Sequence, residues 1–408
     1  MTMHEQSNSE SVPSNTDQLS SERTTANTGD VSDEVKICTR CIMDTSISNV
    51  TLDRDGICNH CRLHDKLEKL YPLNEQGRGQ LLKIVDKIKR SGRGQKYDCI
   101  VGVSGGRDTT YCLYMTKKLG LRPLAVHFDN GWDSQVAKTN LARVLETLDV
   151  DLHTVVADWE ESRDLTNCTI RASLPYIDMT DDIGIVSALY RTATKEKIRW
   201  IIHSHSFRTE GINPLKWNYM DGRLVRHLIK QFGTIKLKFF QNVELRHFFY
   251  WVFVKRIRTF TMTNLYDDVG TDIDELLQRE FDWQDTGGWH FDNEIFGLQC
   301  YYSRHKFGID WRICEYAAWV RTGAMARDEA LRKMRETPEI ESKKYVDYGL
   351  KKQGISPEEW REIMAAEPKY FTDYPTYYTL LKMLSPLIWL LGRLHVLPAH
   401  TYEKFFKT

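Results

Sequence analysis

Residues 101–110 read V-G-V-S-G-G-R-D-T-T, and this stretch decides the fold. A short apolar run at 99–103 enters a turn with two glycines, and residues 111–119 beyond it carry helical spacing. Strand, glycine turn and helix in that order bring the amides of Ser104, Gly105 and Gly106 to a helix N-terminus, where N–H groups and the helix dipole favour an anion. A glycine pair before a helix also serves as an ordinary tight turn, so the surrounding pattern has to choose. The stretch lacks the G-x-x-x-x-G-K-[ST] of a P-loop and the G-x-G-x-x-G of a dinucleotide fold, which removes support for GTPase and dehydrogenase readings.

Outward from the loop, the sequence predicts strands at 123–128, 151–156 and 200–203 and helices at 134–148 and 183–197. This βαβ alternation predicts an α/β fold with a doubly wound parallel sheet. Ligands of such sheets gather at the carboxyl ends of the strands. Polar residues recur there: Ser104 to Thr109 after the first strand, Asp129 and Asn130 after the second, Asp158 and Glu161 after the third, and His205 to Glu210 after the fourth.

The 408 residues allow two or three domains. Lys plus Arg and Asp plus Glu are equal at 56 each, so no global field advertises a nucleic acid or a basic partner. Residues 1–33 are rich in Ser, Thr, Asn, Glu and Asp and are expected to be a disordered tail. They show no apolar core of a secretory signal, and no long uncharged apolar run occurs, so a cytoplasmic chain without a membrane span is expected.

In a reducing compartment, clustered cysteines suggest metal before disulfides. Four of the nine form two C-x-x-C knuckles, Cys38 with Cys41 and Cys58 with Cys61, separated by 16 residues. That spacing fits a zinc ribbon whose four thiolates leave no open position, so the Zn²⁺ is expected to be structural. His60 and His64 are read as solvated or outer-shell side chains. Cys99, Cys112, Cys168, Cys300 and Cys314 are isolated and read as small buried residues.

Ser104-Gly105-Gly106-Arg107-Asp108-Thr109 resembles the S-G-G-x-D-S loop of the PP-loop ATP pyrophosphatases, with Thr109 at the final serine. The wider pattern resembles the N-acetyl sugar amidotransferases of bacterial surface-polysaccharide biosynthesis. The resemblance is carried by C-T-R-C-I-M-D-T with C-N-H-C, by the loop, by His127-Phe128-Asp129-Asn130-Gly131-Trp132 and by Asp158-Trp159-Glu160-Glu161. Thr180-Asp181, Phe207-Arg208-Thr209-Glu210-Gly211, Lys306-Phe307-Gly308-Ile309-Asp310 and the stretch 321–330 complete it. It implies a sheet of the adenine-nucleotide α-hydrolase type, an N-terminal zinc ribbon and a helical C-terminal region. The expected boundaries are 34–70 for the ribbon, 71–215 for the ATP domain, 216–345 for a substrate-facing helical region and 346–408 for C-terminal docking helices.

The implied reaction activates an acetamido oxygen with ATP and replaces it with ammonia, leaving an acetamidino group on a nucleotide-linked or free N-acetyl sugar. Ser104, Gly105, Gly106, Arg107 and Thr109 would bind the phosphates with Mg²⁺. Asp108 would hold the metal or fix the loop, and Phe128 and Asp129 would line the adenosine pocket. Arg208 would meet a phosphate or carboxylate, and Glu210 a metal or ammonium. A separate glutaminase and a cyclase-like ammonia-channelling protein are the implied partners. Gly287-Gly288-Trp289-His290, Ser204 and Trp311 depart from the family's usual Gly-Gly-Lys-His, glycine and basic residue. Residues 223–262 alternate bases and aromatics, a mixture suited to single-stranded nucleic acid, a nucleotide sugar, an acidic membrane face or simply an amphipathic helix with a packed aromatic face. The alternatives to the amidotransferase reading are a tRNA thiolation enzyme and a non-catalytic nucleotide-binding adaptor.

Overall fold

The structure is a computed structural model that describes residues 34–266, 272–287, 290–393, 397 and 400–406. The expected tail at 1–33 and the departure at Trp289 lie outside the described residues. Residues Lys36–Thr408 form one compact unit.

Its centre is a five-stranded parallel sheet of order β3-β2-β1-β4-β5, made of β1 (Cys99–Gly102), β2 (Pro123–Asp129), β3 (Leu152–Val156), β4 (Trp200–His203) and β5 (Arg258–Thr261). The central strands β1, β2 and β4 are apolar because both their faces are covered, whereas the edge strand β3 alternates exposed and half-buried residues. Period-two alternation divides their side chains: Cys99, Val101 and Ile202 enter one core, while Ile100, Val126 and Ile201 enter the other. Ile100 and Ile201 are fully buried, and each such side chain contributes about 1.5–3 kcal/mol by leaving water. A third core joins the four cysteines to Trp132 and to residues 295–363.

Between the strands run α1 (Asn59–Leu70), α2 (Glu75–Ser91), α3 (Arg107–Lys118), α4 (Gln135–Leu148), α5 (Trp159–Arg171) and α6 (Met179–Lys195), the first two preceding β1. The doubly wound sheet read from the sequence is thus present, with three differences. Helix α3 starts at Arg107 and not at 111, because its first turn is polar and apolar spacing cannot reveal it. Helix α5 escaped the periodicity reading because its buried face carries Glu161, Ser162, Asp164, Thr166, Asn167 and Thr169. The sheet also extends past 215, since β5 pairs with β4 from within the basic and aromatic stretch.

That stretch is no single amphipathic helix. It forms a helix at Gly222–Phe232, a short helix at Leu245–Phe249 continued by a π-helical turn at Tyr250–Val254, and then β5. Near the C-terminus the chain forms helices Tyr378–Met383 and Ser385–Arg393. No helix among the described residues is long and apolar enough to cross a membrane.

Candidate functional site

The strand order reverses direction at β1, so the crevice between the carboxyl ends of β1 and β4 is the topological switch point. The loop after β1 and the loop after β4 meet there. Thr209 Oγ1 donates to Asp108 Oδ2 (3.4 Å), and Cys112 Sγ on α3 donates to the His203 carbonyl (3.8 Å).

The glycine loop has one allowed shape. Gly105 has φ +85°, and a Cβ there would lie 2.1 Å from the Ala137 carbonyl oxygen of α4. Its own carbonyl accepts from Trp283 Nε1 (3.1 Å) and Asn140 Nδ2 (3.4 Å). The Ser104 and Thr109 hydroxyls lie 3.2 Å apart, and Gly106 N–H donates to Ser104 Oγ (3.3 Å). Side chains cap α1, α2, α4 and α5, through Cys58, Asn74, Ser134 and Asp158. Helix α3, with Gly106 at its N-cap, has no side-chain cap, as is also true of α6, and its first amides at the switch point are open to an external anion.

Carboxyl groups surround this anion cradle. Asp108 shares a hydrogen bond with Glu210, and loss of hydration pushes its pKa up against the pull of Arg107. Burial, and then repulsion from Asp108, push Glu315 up to about 8. A Cβ on Gly106 would lie 2.9 Å from Asp292 Oδ2. His290, stacked on Phe296 at 4.5 Å, is kept neutral by burial despite Asp292 and Asp108. Acids beside a phosphate cradle repel the phosphates unless a cation lies between them.

Not every expected residue faces this crevice. Arg208, expected to meet a phosphate or carboxylate, donates from its guanidinium to the carbonyls of Tyr71 (2.7 Å) and Asn264 (2.9 Å) and rests on the Phe207 ring. It clasps the α1–α2 connection to the chain beyond β5. Arg107 is held by Asp274 (2.6 Å) beside Asp108. The half-buried Phe128 ring lies against Gly184 of α6, where a Cβ would come within 2.5 Å of it. Asp129 Oδ1 accepts from Gly131 N–H (2.9 Å) in its own turn at the end of β2. Asp181 accepts from Asn130 (2.8 Å) and Ser162 (3.3 Å), pinning α5 and α6 to that end.

Sequence reasoning missed Trp283, Asn140, Asp292, His290 as a neighbour of the loop, and Glu315. It also missed the pair of His127 with Asp133 (2.9 Å), in which the ring's other nitrogen contacts the Val103 carbonyl. Burial opposes a charge on His127, yet Asp133 holds its pKa above the ordinary histidine value. No local signal marks most of these groups: Gly105 and Trp283 are 178 positions apart.

The second centre is the cysteine cluster. All four Sγ atoms lie within 4.8 Å of one another, with Cys38 and Cys61 at 3.8 Å and Cys41 and Cys58 at 3.6 Å. A tetrahedral ion with bonds of about 2.3 Å holds its sulfurs about 3.8 Å apart, so the set fits one such ion. In a [4Fe–4S] cluster each of the four thiolates binds a different iron, which needs a wider set. Backbone N–H groups of Arg40, Cys41, Cys58 and Cys61 donate to sulfur. Arg321 donates to Cys61 (3.3 Å) and Cys41 (3.4 Å), and Arg327 holds the Cys41 and Cys38 carbonyls. The stretch 321–330 therefore clamps the cysteines. His60 is fully buried, not solvated, and burial followed by Arg321 pushes its pKa down to about 3. His64 is equally buried, edge-on to Phe207. The other five cysteines are buried, as expected, and burial pushes Cys112 up to about 12.

Sheet, loop and cysteine cluster together define a doubly wound α/β protein with an anion cradle at its switch point and an N-terminal four-cysteine module. Residues 278–387 match a family described as LPS biosynthesis protein WbpG-like, C-terminal domain. That match supports the resemblance to the N-acetyl sugar amidotransferases. An uncharacterized protein, MJ1599, of Methanocaldococcus jannaschii is 31% identical over 128 residues, 30% of this chain and 44% of that relative. The chain thus spans less than half the length of the curated relative it matches. Among solved structures, an NMN synthetase from Francisella tularensis is 13% identical with a TM-score of 0.26, covering 57% of this chain and 94% of that one. A U34-tRNA thiolase, NcsA, from Methanococcus maripaludis with its [4Fe-4S] cluster is 12% identical with a TM-score of 0.30, covering 66% and 84%. At those scores neither bears on the site.

Proposed function

We propose that this chain is an ATP-dependent, AMP- and pyrophosphate-forming amidotransferase acting on an N-acetylated, nucleotide-linked sugar in surface-polysaccharide biosynthesis. The observation that carries the reading is the contact between the WbpG-like region and the phosphate loop. Trp283 donates to the Gly105 carbonyl, and Asp292 abuts Gly106. The part of the chain akin to a lipopolysaccharide-biosynthesis family thereby completes the anion cradle.

An amide carbonyl resists ammonia because its oxygen leaves poorly. In the proposed reaction the acetamido oxygen attacks the α-phosphorus of ATP, and the bond to pyrophosphate breaks. Ammonia adds to the resulting imidate carbon, AMP departs with the former amide oxygen, and an amidine remains. The amides of Gly106 and the first turn of α3, with the Ser104 and Thr109 hydroxyls, receive the charge that develops on pyrophosphate. Mg²⁺ supplies charge neutralisation between the phosphates and the carboxylates, and Asp108, Glu210 and Asp292 are the groups that fit it. Glu210, hydrogen-bonded to Asp108, is the group placed to take a proton from incoming ammonium. Zn²⁺ in the four-cysteine cluster is structural. Ammonia comes from a separate glutaminase through a cyclase-like companion, and the use of ATP places the reaction in the cytoplasm.

The test incubates the full chain with ATP, Mg²⁺, an ammonium salt and nucleotide-linked acetamido sugars, following AMP, pyrophosphate and sugar mass. The expected result is sugar-dependent AMP release with a product lighter by the difference between an oxygen atom and an imino group. AMP release that depends on tRNA and not on sugar would replace the reading with thiolation. No AMP with any acceptor would favour the adaptor.

A further inference from the structure

The 40 residues from 223 to 262 contain nine Lys or Arg and a single acid, Glu244, although the chain as a whole is neutral. All nine bases except Arg258 are exposed. The same segment exposes large apolar side chains, with Phe239 66%, Phe249 62% and Val254 59% accessible. Exposed aromatics interleaved with bases are unusual on a soluble surface.

These side chains are displayed by built structure. The buried carboxylate of Glu161 accepts backbone N–H groups of Lys238, Phe239 and Phe240, and buried Asp164 accepts from Thr234 and Ile235. Two interior acids thus fix the 234–240 loop while Phe239 points to solvent. The Phe249 and Phe253 rings pair at 4.9 Å on the helix and π-helical turn, whose inner face is anchored by Trp251 stacked on Tyr190. Glu244 caps that helix and also accepts from Arg226 and from Tyr377 Oη (2.5 Å). Tyr377 leads directly into the helix pair 378–393, which has Lys382 and Arg393 and no acid and exposes Met383, Leu387 and Trp389. One carboxylate therefore ties the start of the 245–254 helical segment to the Tyr377 side chain that precedes the second apolar, basic segment.

We propose that this face docks the protein on an anionic lipid bilayer. Apolar rings enter the headgroup boundary while the lysines and arginines meet lipid phosphates, as in interfacial amphipathic helices. Charge complementarity selects this occupant: the face offers cations and apolar bulk together, and its one acid is already bound by Arg226 and Tyr377. The inference does not depend on the amidotransferase reading.

The test is co-sedimentation of the full chain with vesicles of phosphatidylglycerol and phosphatidylethanolamine, against vesicles of phosphatidylcholine. Binding to the anionic vesicles is expected, at least about tenfold weaker on the neutral ones and weakened again by salt. The exposed double variant F249D/F253D is expected to lose at least about tenfold in partition, with its melting temperature and metal content unchanged. No binding to anionic vesicles at low salt would overturn the proposal, as would equal binding by a folded variant. Retention on single-stranded RNA that anionic vesicles cannot compete would also overturn it. So would a dimer broken by F249D/F253D with no vesicle binding.

Discussion

The cysteine centre and the phosphate loop are built by the same device, a tight turn that aims backbone amides at negative charge, but one is closed and the other open. Around the sulfurs four backbone N–H groups, Arg321 and Arg327 converge on the knuckles. At the loop the helix start has no side-chain cap, and burial raises the Asp108 and Glu315 carboxyls against the pull of Arg107, with Asp108 raising Glu315 further. A closed site of this kind stabilises a fold, and an open one is completed by its ligand. Breaking the first should therefore cost stability, and breaking the second should cost turnover.

The largest effect is expected from Cys58→Ser. Structural zinc contributes folding free energy directly, about 10–16 kcal/mol in small zinc modules, and here the cluster shares its core with residues 295–363. The variant should lose bound metal by atomic emission and melt lower by more than about 10 °C. Full metal stoichiometry in the variant would end the four-cysteine account.

Next is Gly105→Ala, the equivalent break at the open site. The added methyl meets the Ala137 carbonyl at 2.1 Å in a backbone conformation with positive φ, so the loop must shift. Pyrophosphate release should fall about a thousandfold, the scale of lost oxyanion-type stabilisation, while metal content stays whole. If metal is lost as well, the two centres are not separable.

Asp108→Asn sharpens the contrast. Its folded-state pKa is raised, so the stability linked to its proton is present below the ordinary value of 3.8 and is lost as pH rises through the raised one. At neutral pH the amide should leave thermal stability equal or higher while AMP formation falls at least about a hundredfold. Reduced stability with intact turnover would make Asp108 a structural residue.

The same contrast explains what the sequence could reveal. The cysteine knuckles and the glycine loop are legible because each is local, with partners a few positions apart. Strands β1 to β4 are legible because their apolar runs are bounded by turns. Helix α5 is not, since interior acids such as Glu161 and Asp164 face its packed side. Strand β5 is four residues hidden in a basic segment and is defined by pairing Arg258 with Trp200. Arg208 sits at the carboxyl end of β4, where a ligand role is the natural reading, but its guanidinium reaches back to the Tyr71 carbonyl, 137 positions upstream. Asp292 and Glu315 come from regions with no glycine loop or knuckle to announce them.

The smallest expected effect lies on the helix Arg312–Thr322, which serves both centres: Arg321 faces the sulfurs, and Glu315 faces Asp108 and Arg107. Burial and Asp108 raise Glu315 from 4.5 to about 8. A carboxyl raised in this way contributes stability that is present below pH 4.5 and is lost as pH rises through about 8. The wild-type melting temperature should therefore decline between about pH 5 and 8, and Glu315→Gln should flatten that decline by a few degrees, about 1 kcal/mol in a chain of this size. Magnesium nucleotide, by bringing positive charge between the carboxylates, should flatten the wild-type slope and leave that of the variant unaltered. An unchanged slope in Glu315→Gln would show that the acid is neutralised by another partner, and the open site would then be less electrostatically poised than its geometry indicates.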